Sequence, residues 1–222
     1  MEEKTNRDFK LTAKHALHGN WKHAVLAFLI AAILSGDMPT QIVTTYKMYT
    51  GSTISATVSS IMVIAGVVLG ILCFIIGAVV TVGHANFVLK MLRGEDVRAS
   101  IVLDDFNHWK QQALAQLMIS LKVFLGLILF IIPGLIWSFD YILVPYIMAE
   151  YPDITWQEAL SRSKEMMYGN RMRYFILDLS FIGWSLLSGL TFGITGFYSG
   201  PYFEATVGSF YMELRKDHYD MQ

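Results

Sequence analysis

One long uncharged segment limits how this chain can fold. Residues 54–82 contain no charged side chain, and residues 61–80 are apolar almost without interruption. A bilayer core of about 30 Å is spanned by a helix of about 20 mostly apolar residues. Charged residues make up 16% of the 222-residue chain, against the roughly 25% typical of soluble domains. The sequence therefore predicts an all-α fold, a polytopic membrane helical bundle whose main partner is the lipid bilayer.

Five further segments are predicted to cross the membrane, giving about six transmembrane helices in three hairpins. Pro133-Gly134 is expected to form the tight turn of the middle hairpin, because proline lacks the N–H that a continuing helix needs. Pro201 fits the first turn of the last helix. The predicted spans are 21–34, 54–82, 114–132, 135–149, 174–197 and 201–214.

The basic residues predict the orientation of these spans. Lys and Arg cluster before the first span, between the second and third, between the fourth and fifth, and after the sixth, whereas the alternate loops carry only Lys47. Cytoplasmic loops concentrate Lys and Arg. We therefore expect a multi-pass membrane protein with both termini in the cytoplasm. The first twenty residues lack the apolar core of a signal peptide, so the first span is expected to be retained.

Two short segments suggest an internal repeat. Residues 13–21 and 163–171 are both polar-apolar helical patterns that close with Gly-Asn directly before a predicted span. Glycine after a helix favours the left-handed conformation that ends it, so each step is expected to turn the chain from a surface-lying amphipathic helix into the membrane. We predict one integral membrane domain, 1–222, built from repeats 8–94, 99–152 and 156–217.

Most of the chain resembles a known family, and the N-terminal pattern from Ala13 to Trp21 fits that family as well. The residues that carry the resemblance are Ala159-Leu160-Ser161-Arg162-Ser163, the block Leu177-Asp178-Leu179-Ser180-Phe181-Ile182-Gly183-Trp184, and Pro201-Tyr202. They resemble the bacterial integral membrane family called domain of unknown function 975. The chain is also distantly similar to the membrane domain that accompanies some glycerophosphodiester phosphodiesterases, which is not their catalytic domain. The resemblance implies a bacterial plasma membrane protein and implies no activity.

Four charged residues inside the predicted spans form the candidate site. A charge within the bilayer costs about 2.5–3.5 kcal/mol on insertion scales, so each needs a partner, water or a route to the interface. Lys122 and Asp140 lie on the two arms of one predicted hairpin, at depths that differ by about 5 Å. They are interpreted as a buried pair that fixes the hairpin or as a coupled pair in an ion pathway. A third alternative is that Lys122 reaches the interface.

The other two charges lie in the last hairpin. Asp178 is expected to bond the Gly169-Asn170 turn, Arg171 or Arg173, and a ligand-binding role is the alternative. Glu204 either reaches the outer interface or faces a cavity with two tyrosines, Tyr198 and Tyr202.

No cofactor, metal or nucleic acid partner is predicted. The net charge of −1 does not favour nucleic acid, and His15, His18 and His23 lack the spacing of a zinc site. Phosphate loops and nucleophile elbows are missing from the sequence, so we predict that the protein is not an enzyme. The leading hypothesis is an accessory or scaffold component that contacts a membrane protein partner or a second copy. The alternative is a small transporter or lipid-handling protein.

Overall fold

The computed structural model describes residues 5–34, 56–103, 106–129, 131–191 and 195–219. Every regular element within these ranges is a helix, which confirms the predicted all-α class. The elements are α1 (Asn6–Leu17), α2 (Trp21–Leu34), α3 (Ala56–Leu92), a 3₁₀ helix (Ala99–Leu103), α4 (Trp109–Leu129), α5 (Ile131–Asp140), α6 (Val144–Glu150), α7 (Trp156–Met167), α8 (Arg171–Leu179), α9 (Ile182–Leu190) and α10 (Gly196–Tyr219).

Three helical runs in the described ranges are long and apolar enough to cross a membrane. They are Val68–Leu92 within α3, Trp109–Leu129, which is α4, and Ile131–Glu150, which joins α5 and α6. They overlap the second, third and fourth predicted spans, although the first run ends ten residues beyond the predicted 54–82. The described parts of the remaining predicted spans are mostly helical as well, with the sixth inside α10, but α2 has 14 residues, and α8 and α9 have nine each. These are shorter than the roughly 17 residues of the shortest spanning helices.

Two proline positions differ from the prediction. Pro133 is the third residue of α5, so α4 and α5 are joined ahead of it and not by a Pro133-Gly134 turn. The first turn of a helix accepts proline because its N–H groups have no helical acceptor. Pro201 lies inside α10, which already begins at Gly196 and not at the proline. The helix before it also differs from the predicted span 174–197, because α9 ends at Leu190.

The α4–α5 pair is held close by two facing glycines. A Cβ atom on Gly126 would lie 2.8 Å from Cα of Gly134 and 2.8 Å from the ring of Trp137. A Cβ atom on Gly134 would lie 2.6 Å from the side chain of Leu127. Real Cβ atoms do not approach this closely, so the two backbones touch because neither position carries a side chain.

The two Gly-Asn turns have the same geometry, 150 residues apart. Gly19 has φ +90° and Gly169 has φ +83°, which confirms the predicted left-handed caps. The backbone N–H of Asn20 donates to the carbonyl of Leu17 at 2.9 Å, and that of Asn170 donates to Met167 at 3.0 Å. Each turn follows a helix of 12 residues, α1 or α7.

The helices α1 and α7, which precede these turns, each begin at a Thr-x-x-acid sequence and bury one face. The N–H of Thr5 donates to the carboxylate of Asp8 at 2.9 Å, and the hydroxyl of Thr155 accepts from the N–H of Glu158 at 3.4 Å. Such Thr-x-x-acid pairs satisfy N–H groups that a helix start leaves unbonded. The buried residues are Phe9, Ala13 and Leu17 in α1, and Ala159, Leu160, Ser163, Met166 and Met167 in α7.

The largest group of buried side chains lies where the second half of α3 meets α1, α6 and α10. Phe9 and Phe210 meet there edge to face, with ring centroids 5.4 Å apart. A Cβ atom on Gly208 would lie 2.6 Å from the side chain of Val88, so α10 packs tightly on α3. Large apolar side chains on α4, α5, α8 and α9 are exposed instead, up to 79% at Leu190.

Candidate functional site

The Asp140 carboxylate is the most deeply buried of the four predicted charges, with 1% of the residue exposed. Its two oxygens accept from one guanidinium: Nε of Arg171 lies 2.5 Å from Oδ1, and Nη2 lies 3.0 Å from Oδ2. The Ser163 hydroxyl donates to the Asp140 carbonyl at 2.6 Å. Asp140 therefore ties the end of α5 to α7 and to the start of α8 in a two-pronged pair.

This contact corrects the predicted pairing of Asp140 with Lys122. The Nζ atom of Lys122 instead lies 3.3 Å from the hydroxyl of Tyr141 and 5.1 Å from the centroid of its ring. Lys122 does bridge α4 to the end of α5, but it binds the neighbour of the expected residue. The planar fork of Arg171 fits a carboxylate better than a lysine ammonium does, and the turn at Gly169 places that fork beside Asp140.

Asp178 does not make the predicted contacts. Arg171 binds Asp140, and Arg173 donates to Oδ1 of Asn170 at 3.0 Å and to Glu213 at 2.9 Å. The Asn170 turn is thus braced by Arg173, with Glu213 in the supporting role that was expected of Asp178. Asp178 is exposed and lines a groove.

Glu204 lines the same groove and is held from behind by a tyrosine of α6. The Tyr146 hydroxyl donates to Oε2 of Glu204 at 3.0 Å and lies 3.1 Å from its backbone carbonyl oxygen. His84 of α3, 7% exposed, interacts electrostatically with the same carboxylate. Neither Tyr146 nor His84 was predicted as part of the site. Tyr146 lies within the predicted span 135–149, and His84 lies two residues beyond the predicted span 54–82.

The groove runs between α8–α9 and α10 and has a volume of about 690 Å³. The predicted neighbours of Glu204, Tyr198 and Tyr202, are not among the residues that line the groove. Tyr198 stacks on Trp21 at 4.5 Å and Tyr202 packs against Phe181 at 5.3 Å. Five side chains give the groove its polar lining, and three aromatic rings form its walls. These residues are Asp178, Ser185, Ser188, Ser199 and Glu204, with Phe181, Trp184 and Phe203.

Lys10 of α1 lies at the edge of this groove. Its Nζ atom is 4.6 Å from the centroid of the Phe181 ring and 3.4 Å from the carbonyl oxygen of Ser180. Partial burial lowers the pKa of the Lys10 ammonium below its usual value. The N-terminal amphipathic helix thus places a cation against an aromatic wall of the groove, a contact that spacing along the chain did not reveal.

A second cluster missed by sequence reasoning centres on Glu150, at the end of α6. Its Oε1 accepts from Arg93 at the end of α3 and from Nη1 of Arg215 on α10 at 2.5 Å. Its Oε2 accepts from the hydroxyl of Tyr211 at 2.6 Å. One signal was available: the similar stretches 87–93 and 210–215 each end in arginine, and both arginines bind this one carboxylate.

The described residues contain no group of three or more His, Cys, Asp or Glu side chains placed to hold a metal ion. The two groove carboxylates and the serines are instead oxygen donors and acceptors suited to a polar or cationic group. Of the four charges in the candidate site, Asp178 and Glu204 line one groove, whereas Lys122 and Asp140 make separate contacts that join helices.

Residues 123–218, from within α4 to within α10, match the model of a family described as Protein of unknown function (DUF975). The comparisons with curated proteins and with solved structures gave no match. The matched region is less than half of the chain, and it includes Asp140, Asp178 and Glu204. The C-terminal part of this chain is thus similar to that family of unknown function, which supports the predicted resemblance.

Proposed function

We propose that the chain is a six-span protein of the bacterial plasma membrane, with both termini in the cytoplasm and three hairpin repeats, 8–94, 99–152 and 156–217. Helices occupy the described parts of all six predicted spans, and three runs have the length and apolarity of spanning helices. The matching turns at Gly19 and Gly169 support the first and third repeats. On this proposal the whole chain belongs to the family that residues 123–218 match.

The topology is tested with single cysteines in a variant that lacks the natural thiol, Cys73→Ser. A membrane-impermeant thiol reagent applied to intact cells is expected to label Lys47→Cys. Arg98→Cys, at an exposed position after α3, is expected to react only after the cells are permeabilised. Labelling of Arg98→Cys in intact cells would overturn the cytoplasmic assignment of that loop.

The function that we propose is that of a non-enzymatic accessory or scaffold component. The observation that carries it is an exposed apolar stripe along α8 and α9, which includes Ile182 at 55%, Leu186 at 66% and Leu190 at 79% exposure. Gly183 and Gly189 on α9 have open space where a side chain would lie, and small residues let a neighbouring helix approach closely. The charges Lys122 and Asp140 are engaged in contacts that hold this bundle together.

Photo-crosslinking in native membranes tests this role. A photoreactive residue at Leu186 is expected to yield one discrete protein adduct, either with a partner or with a second copy. The matched control is Phe124 of α4, with 61% exposure, where lipid adducts alone are expected. Lipid adducts alone at both positions would overturn the scaffold proposal.

The groove between α8–α9 and α10 favours a second candidate function, that of a small transporter or lipid-handling protein. Its support is that Asp178 and Glu204, two of the four predicted charges, line one cavity. Proteoliposomes that contain the purified protein are compared with empty ones for proton leak and for lipid movement between leaflets. The variant Asp178→Asn/Glu204→Gln is expected to abolish either activity, and Lys122→Gln is expected to retain it. Equal activity in all of these preparations would remove this candidate.

A further inference from the structure

A separate groove, on another side of the molecule, lies between α3 and α4. Its volume is about 730 Å³, and its lining is almost entirely apolar, with Gly70 and Phe74 on α3 and Leu114 and Leu117 on α4. Gly70 has no atom within 4 Å of where its Cβ would lie. The missing side chain at Gly70 leaves the floor of the groove open.

The walls of this groove are exposed apolar side chains within two of the helical runs that can cross a membrane. Phe74 is 37% exposed and Leu117 is 48% exposed. An apolar trough of this kind in a bilayer is filled by hydrocarbon, since lipid tails are the apolar groups that surround the helices.

One end of the groove is different because it carries a cation and an indole ring. Trp109 and Lys110 are the first two residues of α4 and line the groove, with Nζ of Lys110 5.9 Å from the centroid of the Trp109 ring. At 1.5 Å per residue, the 21 residues of α4 extend about 31 Å, close to the thickness of a bilayer core. The start of α4 therefore lies at a membrane boundary, where Trp is enriched and where Lys meets lipid phosphates.

We propose that the α3–α4 groove binds an anionic phospholipid from the surrounding bilayer, with an acyl chain along Gly70 and Leu117 and the phosphate at Lys110. Charge complementarity selects the anionic headgroup, and the apolar trough selects a chain-bearing lipid over free phosphate. This inference rests on the proposed insertion in the membrane and on neither the scaffold role nor the groove at Glu204.

The test uses native mass spectrometry of the detergent-purified full chain after incubation with phosphatidylglycerol or phosphatidylcholine. Wild-type protein is expected to retain phosphatidylglycerol preferentially. Lys110→Gln is expected to lower that retention about fivefold, since one basic residue near an anionic surface contributes about that factor. Lys164→Gln, which changes an exposed lysine on α7, is the matched control and is expected to retain lipid as the wild type does.

A second variant separates the acyl-chain site from the charge. Gly70→Leu fills the trough and is expected to lower the retention of both lipids without shifting the thermal unfolding midpoint, because its position faces open space. Equal retention by wild type, Lys110→Gln and Gly70→Leu would overturn the proposed site. Release of the protein from membranes by alkaline carbonate would instead overturn membrane insertion, so the two failures are distinguishable.

Discussion

Replacement of Arg171 by methionine tests whether the Asp140 contact holds α5, α7 and α8 together. The substitution keeps much of the aliphatic stem and removes the guanidinium that donates to both carboxylate oxygens of Asp140, at 2.5 and 3.0 Å. Asp140 would then be a carboxylate with 1% exposure and without its cation. The Ser163 hydroxyl would not compensate, because it donates to the backbone carbonyl of Asp140.

The expected cost follows from the burial and the geometry. Two unit charges about 4 Å apart attract by about 4 kcal/mol at an effective dielectric constant of about 20, and removal of one partner from a buried pair typically costs about 3–5 kcal/mol. We expect a loss of about 3–4 kcal/mol for Arg171→Met. Asp140→Asn should cost less, about 1–3 kcal/mol, because the Arg171 side chain is 33% exposed and can turn toward water.

The measurement is reversible unfolding of the purified protein in mixed detergent micelles, followed by tryptophan fluorescence. Arg162→Met is the matched control, because its pair with Glu158 at 2.7 Å is exposed on one helix and such pairs contribute about 0.3–0.5 kcal/mol. The double variant Asp140→Asn/Arg171→Met should recover part of the loss, since it leaves no buried unpaired charge. A loss below about 1 kcal/mol for Arg171→Met, or no recovery in the double variant, would refute this account.

Five other substitutions are measured by the same unfolding experiment. Gly126→Ala is expected to cost about 1–3 kcal/mol by overpacking the α4–α5 contact, whereas Gly183→Ala, in open space, should stay within about 0.5 kcal/mol. Glu150→Gln is expected to cost about 1.5–3 kcal/mol because it removes the charge that binds two arginines. Gly19→Ala and Gly169→Ala should each cost about 1–2 kcal/mol, since both have positive φ; a clear cost at only one would contradict their equivalence.

The helical segments could be predicted because their signals are local. The uncharged stretch 54–82 and the Gly-Asn steps depend on residues that are adjacent in the chain, and helices and left-handed caps form at the expected places. Helix ends were less predictable, because proline is compatible both with a turn and with a first helical turn. Pro133 lies in the first turn of α5, and a single sequence does not separate the two cases.

The partners of the charged residues could not be predicted, because they depend on packing between distant helices. Depth along one hairpin placed Lys122 near Asp140, and the structure does place Lys122 next to Tyr141. Depth along the hairpin gave no information on how α8 packs against α5. The packing of α8 is what places Arg171, and not Lys122, at the Asp140 carboxylate. The same reason explains why Tyr146 was missed as the donor to Glu204, 58 residues away in the chain.

The two Gly-Asn turns share one backbone conformation but place different side chains in contact with different helices. The residue after each turn is the first of the following helix, and the turn aims its side chain toward a different neighbour. Trp21 stacks on Tyr198 of α10 at 4.5 Å, whereas Arg171 binds the buried carboxylate of Asp140. An aromatic contact tolerates sliding, but a two-pronged ion pair fixes both distance and angle. The α7–α8 turn is therefore tied to the end of α5 by an ion pair. It positions the start of α8, the helix whose Asp178 lines the groove together with Glu204.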